Sequence, residues 1–332
     1  MQILIIGGTA FVGRYIAQAA VDAGHDITLF HRGKTGSDLF PKATHLLGDR
    51  NSDLSALADG TWDATIDVSA YFPRQVRTLA AELGRRGGRH VLISSVSAYM
   101  VPLPWGYDES APLADCADPE AEFVTVENYG GLEAECERAA GELYGTQVLI
   151  IRPTYVIGPH DRSYRFTWWA DRLAQGGTVL APGRPEDPIQ VIDARDQGTW
   201  IIGLVERSVT GAFHAASPAP PFGFGQMLEA IAAEVAPAGT RLVWVDTDFL
   251  LAEGVDGEAL PLWNAGDPNE ANANSADPAA AFATGLAPRP LRETVADIRS
   301  APRLPGGPPE GVGISAEREA QLLARWAGRT GG

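Results

Sequence analysis

The hydrophobic positions in the first half of the chain follow two alternating patterns. A short, continuous apolar run at 2–6 is typical of a strand buried on both faces, and further strands are predicted at 24–30, 44–49, 63–70, 89–95 and 147–152. Helical periodicity follows between several of them, at residues 11–23, 73–86 and 129–143. Strands that alternate with helices form right-handed βαβ units, so the pattern predicts an α/β fold with a doubly wound parallel sheet.

The second half of the chain is less regular, because Pro and Gly interrupt it and only short strand-like runs remain, at 189–192, 212–215 and 241–245. The division that we expect consists of a first domain at 1–158, to which 189–210 returns, and a smaller lobe made of 159–188 and 211–300. A Pro- and Gly-rich linker at 301–313 then precedes a C-terminal helix at 314–328, with Ser315 as its N-cap.

Composition and charge narrow the class of protein. The 332 residues are 45% hydrophobic and 20% charged, which is typical of globular domains. The net charge of −16 argues against a nucleic-acid partner, because phosphate binding needs clustered Lys and Arg. No signal peptide or membrane-length apolar run is present, and Cys116 and Cys136 are too few for a disulfide framework or a zinc site. We therefore expect a cytoplasmic protein without a metal site or a membrane partner.

A glycine-rich motif, GGTAFVG at 7–13, follows the first strand and opens the first helix. Gly7 permits a tight turn, Gly13 allows the helix to pack closely on the strand, and backbone N–H groups at the helix start can bind a pyrophosphate. Ala10 stands where a further glycine would ease the approach of the phosphates. The motif predicts a dinucleotide-binding Rossmann domain, although an ordinary strand–turn–helix has the same pattern. The expected cofactor contacts are Gly7, Thr9, Ala10, Phe11, Val12 and Gly13.

The residues at the end of the second strand, FHRGK at 30–34, indicate which nicotinamide cofactor is bound. An NAD site has a carboxylate there, whereas the 2′-phosphate of NADP is bound by arginine. His31 occupies the place of the acid, and Arg32 and Lys34 follow it, so NADP is favoured over NAD. Asp49 is placed to accept a hydrogen bond from the adenine amino group. The alternative for Arg32 and Lys34 is a solvated basic turn, and the alternative for Asp49 is a strand-end cap.

In its motifs the chain resembles the extended, epimerase/dehydratase-like short-chain dehydrogenase/reductases. The matching segments, in order, are GGTAFVG (7–13), SSVSAY (94–99), YGGLE (129–133), RPTYVIGP (152–159), PIQVIDARDQG (188–198) and GAFHAASP (211–218). Within this superfamily GGTAFVG, FHRGK and DVSAYFPRQV (67–76) look most like bacterial relatives of the chloroplast stem-loop-binding proteins. The resemblance covers most of residues 1–220, and it also implies a homodimer.

The resemblance implies roles for individual residues. Tyr129 would be the proton donor or acceptor, and Ser95 would hold the substrate oxygen. The lysine that the family places four residues after the tyrosine is replaced by Glu133, and the only lysines of the chain, Lys34 and Lys42, belong to the turn after the second strand. The further cofactor contacts that it implies are Ser69, Ala70, Pro153 and Tyr155.

A carboxylate at position 133 changes the chemistry expected of Tyr129. At ~4 Å it would raise the pKa of the tyrosine by roughly three units, which keeps the hydroxyl protonated. One interpretation is an NADP-dependent oxidoreductase that reduces a carbonyl, with Tyr129 as proton donor and Glu133 accepting hydrogen bonds from the ribose hydroxyls. The others are a non-redox, isomerase- or lyase-like enzyme that uses both residues as acid and base, and a nucleotide-sensing or RNA-associated protein without turnover.

A small-molecule substrate is expected at the carboxyl ends of the strands, between the domain and the lobe. The candidate substrate contacts are Tyr71, Ser97, Tyr99, Thr154, His160 and Trp168. Trp168 belongs to an amphipathic helix at 165–173 and is equally suited to packing within the lobe. The segment 260–270 is either a lid over the pocket or a surface loop.

Overall fold

The computed structural model describes residues 1–264, 266–303 and 307–330. Its strands are β1 (Gln2–Ile6), β2 (Asp26–His31), β3 (Thr44–Leu47), β4 (Ala64–Asp67), β5 (Arg89–Ile93), β6 (Leu149–Pro153), β7 (Tyr155–Ile157), β8 (Thr178–Pro182), β9 (Val191–Asp193), β10 (Gly211–Ala215) and β11 (Arg241–Val245). Its helices are α1 (Phe11–Asp22), α2 (Pro73–Leu83), α3 (Val126–Tyr144), α4 (Arg165–Gln175), α5 (Ala194–Glu206), α6 (Phe224–Val235), α7 (Thr247–Ala252), α8 (Ala279–Ala283), α9 (Leu291–Ser300) and α10 (Ala316–Thr330). In the described ranges, no helix has the combination of length and apolarity that crossing a bilayer requires.

Seven parallel strands form the main sheet, in the order β10-β6-β5-β4-β1-β2-β3. The strand order reverses between β1 and β4, and Ile6 at the end of β1 pairs with Phe30 of β2 and Asp67 of β4. The carboxyl ends of the three central strands are therefore level at the point where ligands bind in such sheets. The predicted doubly wound α/β fold is confirmed.

Alternate residues of the strands supply the cores on the two faces of the sheet. Ile3 and Ile5 of β1 pack on one face with Ile16 of α1 and Ile201 of α5. Leu4 and Ile6 point to the other face, in a cluster with Leu79 of α2. All of these side chains are fully buried or nearly so. Because each buried aliphatic side chain contributes ~1.5–3 kcal/mol, this two-sided burial holds the strand ends rigidly.

The smaller lobe has its own core, built around the parallel pair β8–β11 and helices α4, α6, α9 and α10. Trp169 is fully buried there and meets Trp168 edge to face. The C-terminal helix is attached through Glu319, whose carboxyl group accepts from the Leu180 N–H at 2.9 Å and from Arg172 Nε at 2.7 Å. As predicted, the Ser315 hydroxyl caps this helix, accepting from the Arg318 N–H.

The structure differs from the expected layout in four segments. Residues 211–215, expected in the lobe, form β10 and pair with β6 at the edge of the main sheet. Helix α3 begins three residues before the predicted start, because Thr125 and Asn128 form a reciprocal N-terminal cap. The segment 260–270 opens in the core of the lobe, where the Pro261 carbonyl accepts from the Trp169 indole at 2.6 Å. Within the predicted linker 301–313, residues 304–306 lie outside the described residues, whereas Val312 packs on the lobe core.

His90 of β5 is a buried polar residue without polar partners. Its ring stacks on that of Tyr144 at the end of α3, with 4.4 Å between centroids. Neither ring nitrogen has a hydrogen-bond partner among the described residues. Burial lowers the pKa of this imidazole to about 4, so the ring is neutral in the folded protein at neutral pH.

Replacing His90 by Phe should make the protein less sensitive to acid. Between about pH 6.5 and pH 4 the unfolded chain binds a proton that the folded protein does not, so the wild type loses ~1.4 kcal/mol of stability per pH unit. Phe keeps the stack on Tyr144 but does not titrate. In urea unfolding at pH 7 and pH 5, the fall in unfolding free energy should be about 2 kcal/mol smaller in His90→Phe. An equal decrease in unfolding free energy in both proteins would contradict a neutral, buried His90.

Candidate functional site

The turn between β1 and α1 has the shape of a phosphate cradle. Gly7 and Gly8 have φ angles of +107° and +84°, and a Cβ atom on Gly13 would lie 2.6 Å from the Gly8 nitrogen. No side chain caps α1, and its first turn holds no acidic residue, so the positive end of the helix faces the turn. Each of these features fits a dinucleotide pyrophosphate.

The residues between these glycines complete the turn. Ala10 is exposed and has extended backbone angles, so its methyl group introduces no backbone strain. Phe11 begins the helix with φ of +32°, in a region that favours glycine, and Val12 follows half-buried. Thr9 is buried, and a Cβ atom on Gly36 would lie 2.6 Å from its carbonyl oxygen. The loop after β2 therefore lies directly against the phosphate turn.

At the end of β2, His31 is held in a chain of hydrogen bonds. Its Nδ1 accepts from the Gly33 N–H at 3.0 Å, so Nε2 carries the hydrogen and donates to Nδ1 of His45 at 2.8 Å. Nε2 of His45 in turn donates to the Phe40 carbonyl. Burial, and then His45, lowers the pKa of His31, which keeps the ring neutral. Arg32 and Lys34 are exposed, so the charged groups of this turn are both accessible.

Two further predicted cofactor residues already have partners within the protein. Asp49 accepts through Oδ1 from the N–H of Asn51 at 3.0 Å, as in the strand-end cap that was one alternative. Ser69 lies beside an ion pair between Arg50 and Asp67, with distances of 2.5 and 2.8 Å, and its hydroxyl accepts from Arg50 at 3.2 Å. This ion pair was not predicted, because Asp67 ends β4 and Arg50 follows β3, and these two strands are not neighbours in the sheet. Ala70, which follows, is buried.

Ser95 and Tyr129 are brought together by a close contact between α3 and the end of β5. Ser95 caps a short turn by accepting from the Ser97 N–H at 3.1 Å. Gly130 packs against this turn so tightly that a Cβ atom there would lie 2.2 Å from the Ser97 carbonyl oxygen. The Tyr129 side chain therefore lies beside Ser95 and Glu133, and both of them affect the pKa of its hydroxyl. The three predicted catalytic residues form one cluster.

Glu133 is a buried acid without a cation. Its side chain is 3% exposed and interacts with Tyr129 and Ser94, yet its Oε2 atom has no hydrogen-bond partner among the described residues. Burial, followed by the Glu137 carboxylate, raises its pKa to about 8. The protonated form of Glu133 is therefore favoured at neutral pH. Sequence reasoning treated Glu133 as a carboxylate, whereas the fold makes it mainly a neutral acid.

Tyr129 is also held in its protonated form. Burial and then the neighbouring Glu133 raise its pKa, and the interaction with Ser95 only partly opposes them. Lys34 and Lys42 are both exposed on the turn beyond β2, so neither replaces the missing lysine. At neutral pH the cluster therefore contains two proton donors.

A second network, below the cluster, connects α3 to β6 and β10. Arg152 makes a double contact with Glu137, at 2.9 Å through Nε and 2.6 Å through Nη2. Its Nη1 donates to the Tyr99 hydroxyl, which in turn donates to Nε2 of His214 at 2.6 Å. Tyr99 is thus buried with its hydroxyl engaged. Glu137 lies one turn after Glu133, and this helical spacing was the signal that could have revealed it.

The other predicted substrate residues are spread over three regions. Tyr71 is 47% exposed near Glu133, and Thr154 is buried with its hydroxyl unpartnered among the described residues. After Pro153, the last residue of β6, Tyr155 donates to Asn264 at 3.3 Å. The more distant ones are His160, which bonds the Tyr15 hydroxyl of α1, and Trp168, which lies in the lobe core. In the part of the chain that the structure describes, no group of three His, Cys, Asp or Glu side chains could hold a metal ion.

Comparison with known proteins agrees with this geometry. The model of the NAD dependent epimerase/dehydratase family matches residues 3–212. The chloroplast stem-loop binding protein of 41 kDa b from Arabidopsis thaliana is 26% identical over 220 residues, which are 61% of this chain and 55% of the plant protein. The chain thus matches only about half the length of that relative.

Solved structures share the fold at low sequence identity. A Burkholderia cenocepacia protein, provisionally described as an epimerase, has a TM-score of 0.69 at 21% identity, covering 90% of this chain and 98% of that one. UDP-glucose 4-epimerase of Thermus thermophilus, solved with NAD, has a TM-score of 0.63 at 16% identity, covering 91% and 100%. The predicted resemblance is confirmed: the chain belongs to the NAD-dependent epimerase/dehydratase family of extended short-chain dehydrogenase/reductases, a family of NAD(P)-dependent enzymes.

Proposed function

We propose that the protein is an NADP-dependent oxidoreductase that reduces a carbonyl group of a small organic substrate. The observation that carries this proposal is the cluster of Ser95, Tyr129 and Glu133, in which both acids are protonated at neutral pH. A carbonyl that becomes an alcohol must receive a proton on its oxygen, and a protonated tyrosine beside a serine hydroxyl can supply it.

The residues around the strand ends fit the cofactor. The Gly7–Gly13 turn and the start of α1 would hold the pyrophosphate. Both nitrogens of His31 are engaged, so the exposed Arg32 and Lys34 are the groups available for a 2′-phosphate. With the adenosine half on the β2 side, the nicotinamide half would extend towards the ends of β4, β5 and β6. The residues at these ends are Ser69, Ala70, Ser95, Pro153 and Tyr155.

The protein's part in the reaction is to hold the carbonyl oxygen and to supply its proton. When bound, the reduced nicotinamide would supply a hydride to the carbonyl carbon. The hydroxyls of Ser95 and Tyr129 would donate hydrogen bonds to the oxygen, and Tyr129 would transfer its proton as negative charge develops there. Glu133, one turn away and in contact with Tyr129, is placed to return a proton to it.

The alternatives are less well supported. An epimerase of this family type begins by oxidising an alcohol, for which Tyr129 would have to accept a proton, and its raised pKa favours the protonated hydroxyl. The plant relative is named for stem-loop binding. A net charge of −16 opposes a nucleic-acid partner for this chain, so we propose a small-molecule substrate.

Calorimetric titration with NADPH and NADH tests the cofactor assignment. Wild-type protein should bind NADPH more tightly, and Arg32→Ala should weaken NADPH binding by roughly 10- to 100-fold because a charge-assisted contact with the phosphate is lost. NADH binding should be unchanged in the variant. Arg85→Ala, at an exposed arginine in the turn before β5 and therefore at the amino ends of the parallel strands, is the matched control and should leave both affinities intact. Equal affinities for the two cofactors in wild type would contradict the assignment to NADP.

Removing the Tyr129 hydroxyl tests the proton donor. In a screen of aldehydes and ketones followed by NADPH absorbance, Tyr129→Phe should lower kcat by roughly 10²- to 10⁴-fold, because a positioned general acid contributes about that much. NADPH affinity should stay within about twofold of the wild type, since the hydroxyl acts on the substrate. Tyr144→Phe, at the other end of the same helix, should keep full activity. An unchanged kcat in Tyr129→Phe would eliminate Tyr129 as the donor.

A further inference from the structure

The groups that most affect the pKa of Glu133 are acids and neutral groups. On its own helix its neighbours are Tyr129, Cys136 and Glu137. From the ends of the strands it is faced by Asp67 of β4, Tyr71 and Ser94. The acids among these already have cations, because Arg50 binds Asp67 and Arg152 binds Glu137.

Because both arginines are paired, neither of them supplies the positive charge that would favour the ionised form of Glu133. Both arginines are engaged in short double contacts with carboxylates that are almost completely buried. Tyr129 and Ser94 favour the ionised form of Glu133 only in part, and its Oε2 atom has no hydrogen-bond partner among the described residues. An uncompensated carboxylate in such a place is unfavourable, so the proton stays until a cation arrives.

The proposed cofactor is the one component that changes the charge of this site. Its adenosine half belongs with the β2 side and its nicotinamide half with the ends of β4 and β5, where Glu133 lies. The oxidised nicotinamide ring carries a positive charge, and the reduced ring is neutral. Only the oxidised form therefore supplies the opposite charge that favours ionisation of a nearby acid.

We propose that Glu133 is a redox-linked proton site, which keeps its proton in the free protein and with the reduced cofactor and releases it to solvent when the oxidised cofactor binds. This inference rests on the proposed function, since it needs a nicotinamide in this site. In this proposal Glu133, which stands in place of the family's lysine, binds and releases a proton. The lysine would keep a constant charge through turnover, whereas Glu133 changes its charge with the state of the cofactor.

Every proton used in one catalytic cycle can be accounted for. Reduction of the carbonyl adds a hydride to carbon and a proton to oxygen, and that proton comes from Tyr129. Tyr129 recovers a proton from the neighbouring Glu133. The reaction thus ends with the Glu133 carboxylate beside an oxidised nicotinamide, and Glu133 regains a proton from solvent when the cofactor is exchanged for its reduced form.

Proton release on binding tests the site without a substrate. Calorimetry with NADP⁺ and NADPH at pH 7, in phosphate and in Tris buffer, gives the number of protons released from the difference in observed enthalpy. NADP⁺ should release about one proton more than NADPH, matching the fraction of Glu133 that is protonated in the free protein. The 2′-phosphate is common to both forms, so its own titration cancels in this difference. Because binding releases this proton, the affinity for NADP⁺ should increase as the pH is raised towards about 8, by up to tenfold per pH unit.

Glu133→Gln should abolish the difference, because the amide has the same shape and no proton to release. Glu135→Gln, half-buried on the same helix, is the matched control and should keep it. Equal proton counts for NADP⁺ and NADPH in wild type, or a difference that persists in Glu133→Gln, would overturn the proton site and leave the proposed function standing. Failure of both nucleotides to bind would overturn the proposed function together with it.

A stability measurement checks the same proton without any nucleotide. The folded pKa of Glu133 lies above its unfolded value, so its contribution is present at low pH and is lost as pH rises from about 4.3 to 8. Glu133→Gln should therefore gain urea resistance relative to wild type between pH 5 and pH 8. An equal pH dependence of the two proteins would show that Glu133 is already ionised, which also overturns the proton site.

Discussion

The buried ion pair between Arg152 and Glu137 is the interaction on which the site depends. It joins the middle of α3 to the end of β6, and through the Tyr99 hydroxyl it continues to His214 in β10. Removing one partner of such a pair typically costs about 3–5 kcal/mol, because the other charge is left buried and uncompensated. With this anchor in place, Gly130 can approach the Ser97 carbonyl, and Tyr129 meets Ser95. The arrangement of the proposed catalytic residues thus depends on how α3 is attached to the sheet.

The same ion pair also fixes the charge of the cluster. Arg152 is bound to Glu137, and Arg50 is bound in a similar way to Asp67, so both buried cations of the region are occupied. A lysine at position 133 would have added a third cation beside the tyrosine. The chain has an acid there, and the fold responds by raising its pKa to about 8. Burial of Glu133 and the neighbouring Glu137 carboxylate raise this pKa, and no unpaired arginine of the two offsets them.

The sequence was sufficient for features that depend on local pattern. Apolar runs located the strands of the main sheet, the glycine motif located the phosphate turn, and the order of motifs identified Ser95 and Tyr129. Features that depend on distant partners were missed. Residues 211–215 were assigned to the lobe because the pattern of a strand does not reveal its neighbour, and β6 lies more than fifty residues earlier. The hydrogen-bond chain of His31 needed His45 from the next strand, and the protonation of Glu133 needed Asp67 and Glu137.

An acid in the place of the lysine changes what the site can do at different stages of a reaction. A lysine lowers the pKa of the tyrosine at all times, and this serves oxidation and reduction alike. A glutamic acid whose pKa is about 8 is near the point of ionisation, so a nearby positive charge is enough to remove its proton. The neutral acid suits the reduced cofactor and the carboxylate suits the oxidised one, and low pH therefore favours the direction that consumes a proton. On the proposed assignment, the acid at position 133 of α3 changes its charge with the redox state of the cofactor, whereas a lysine there would keep a constant charge.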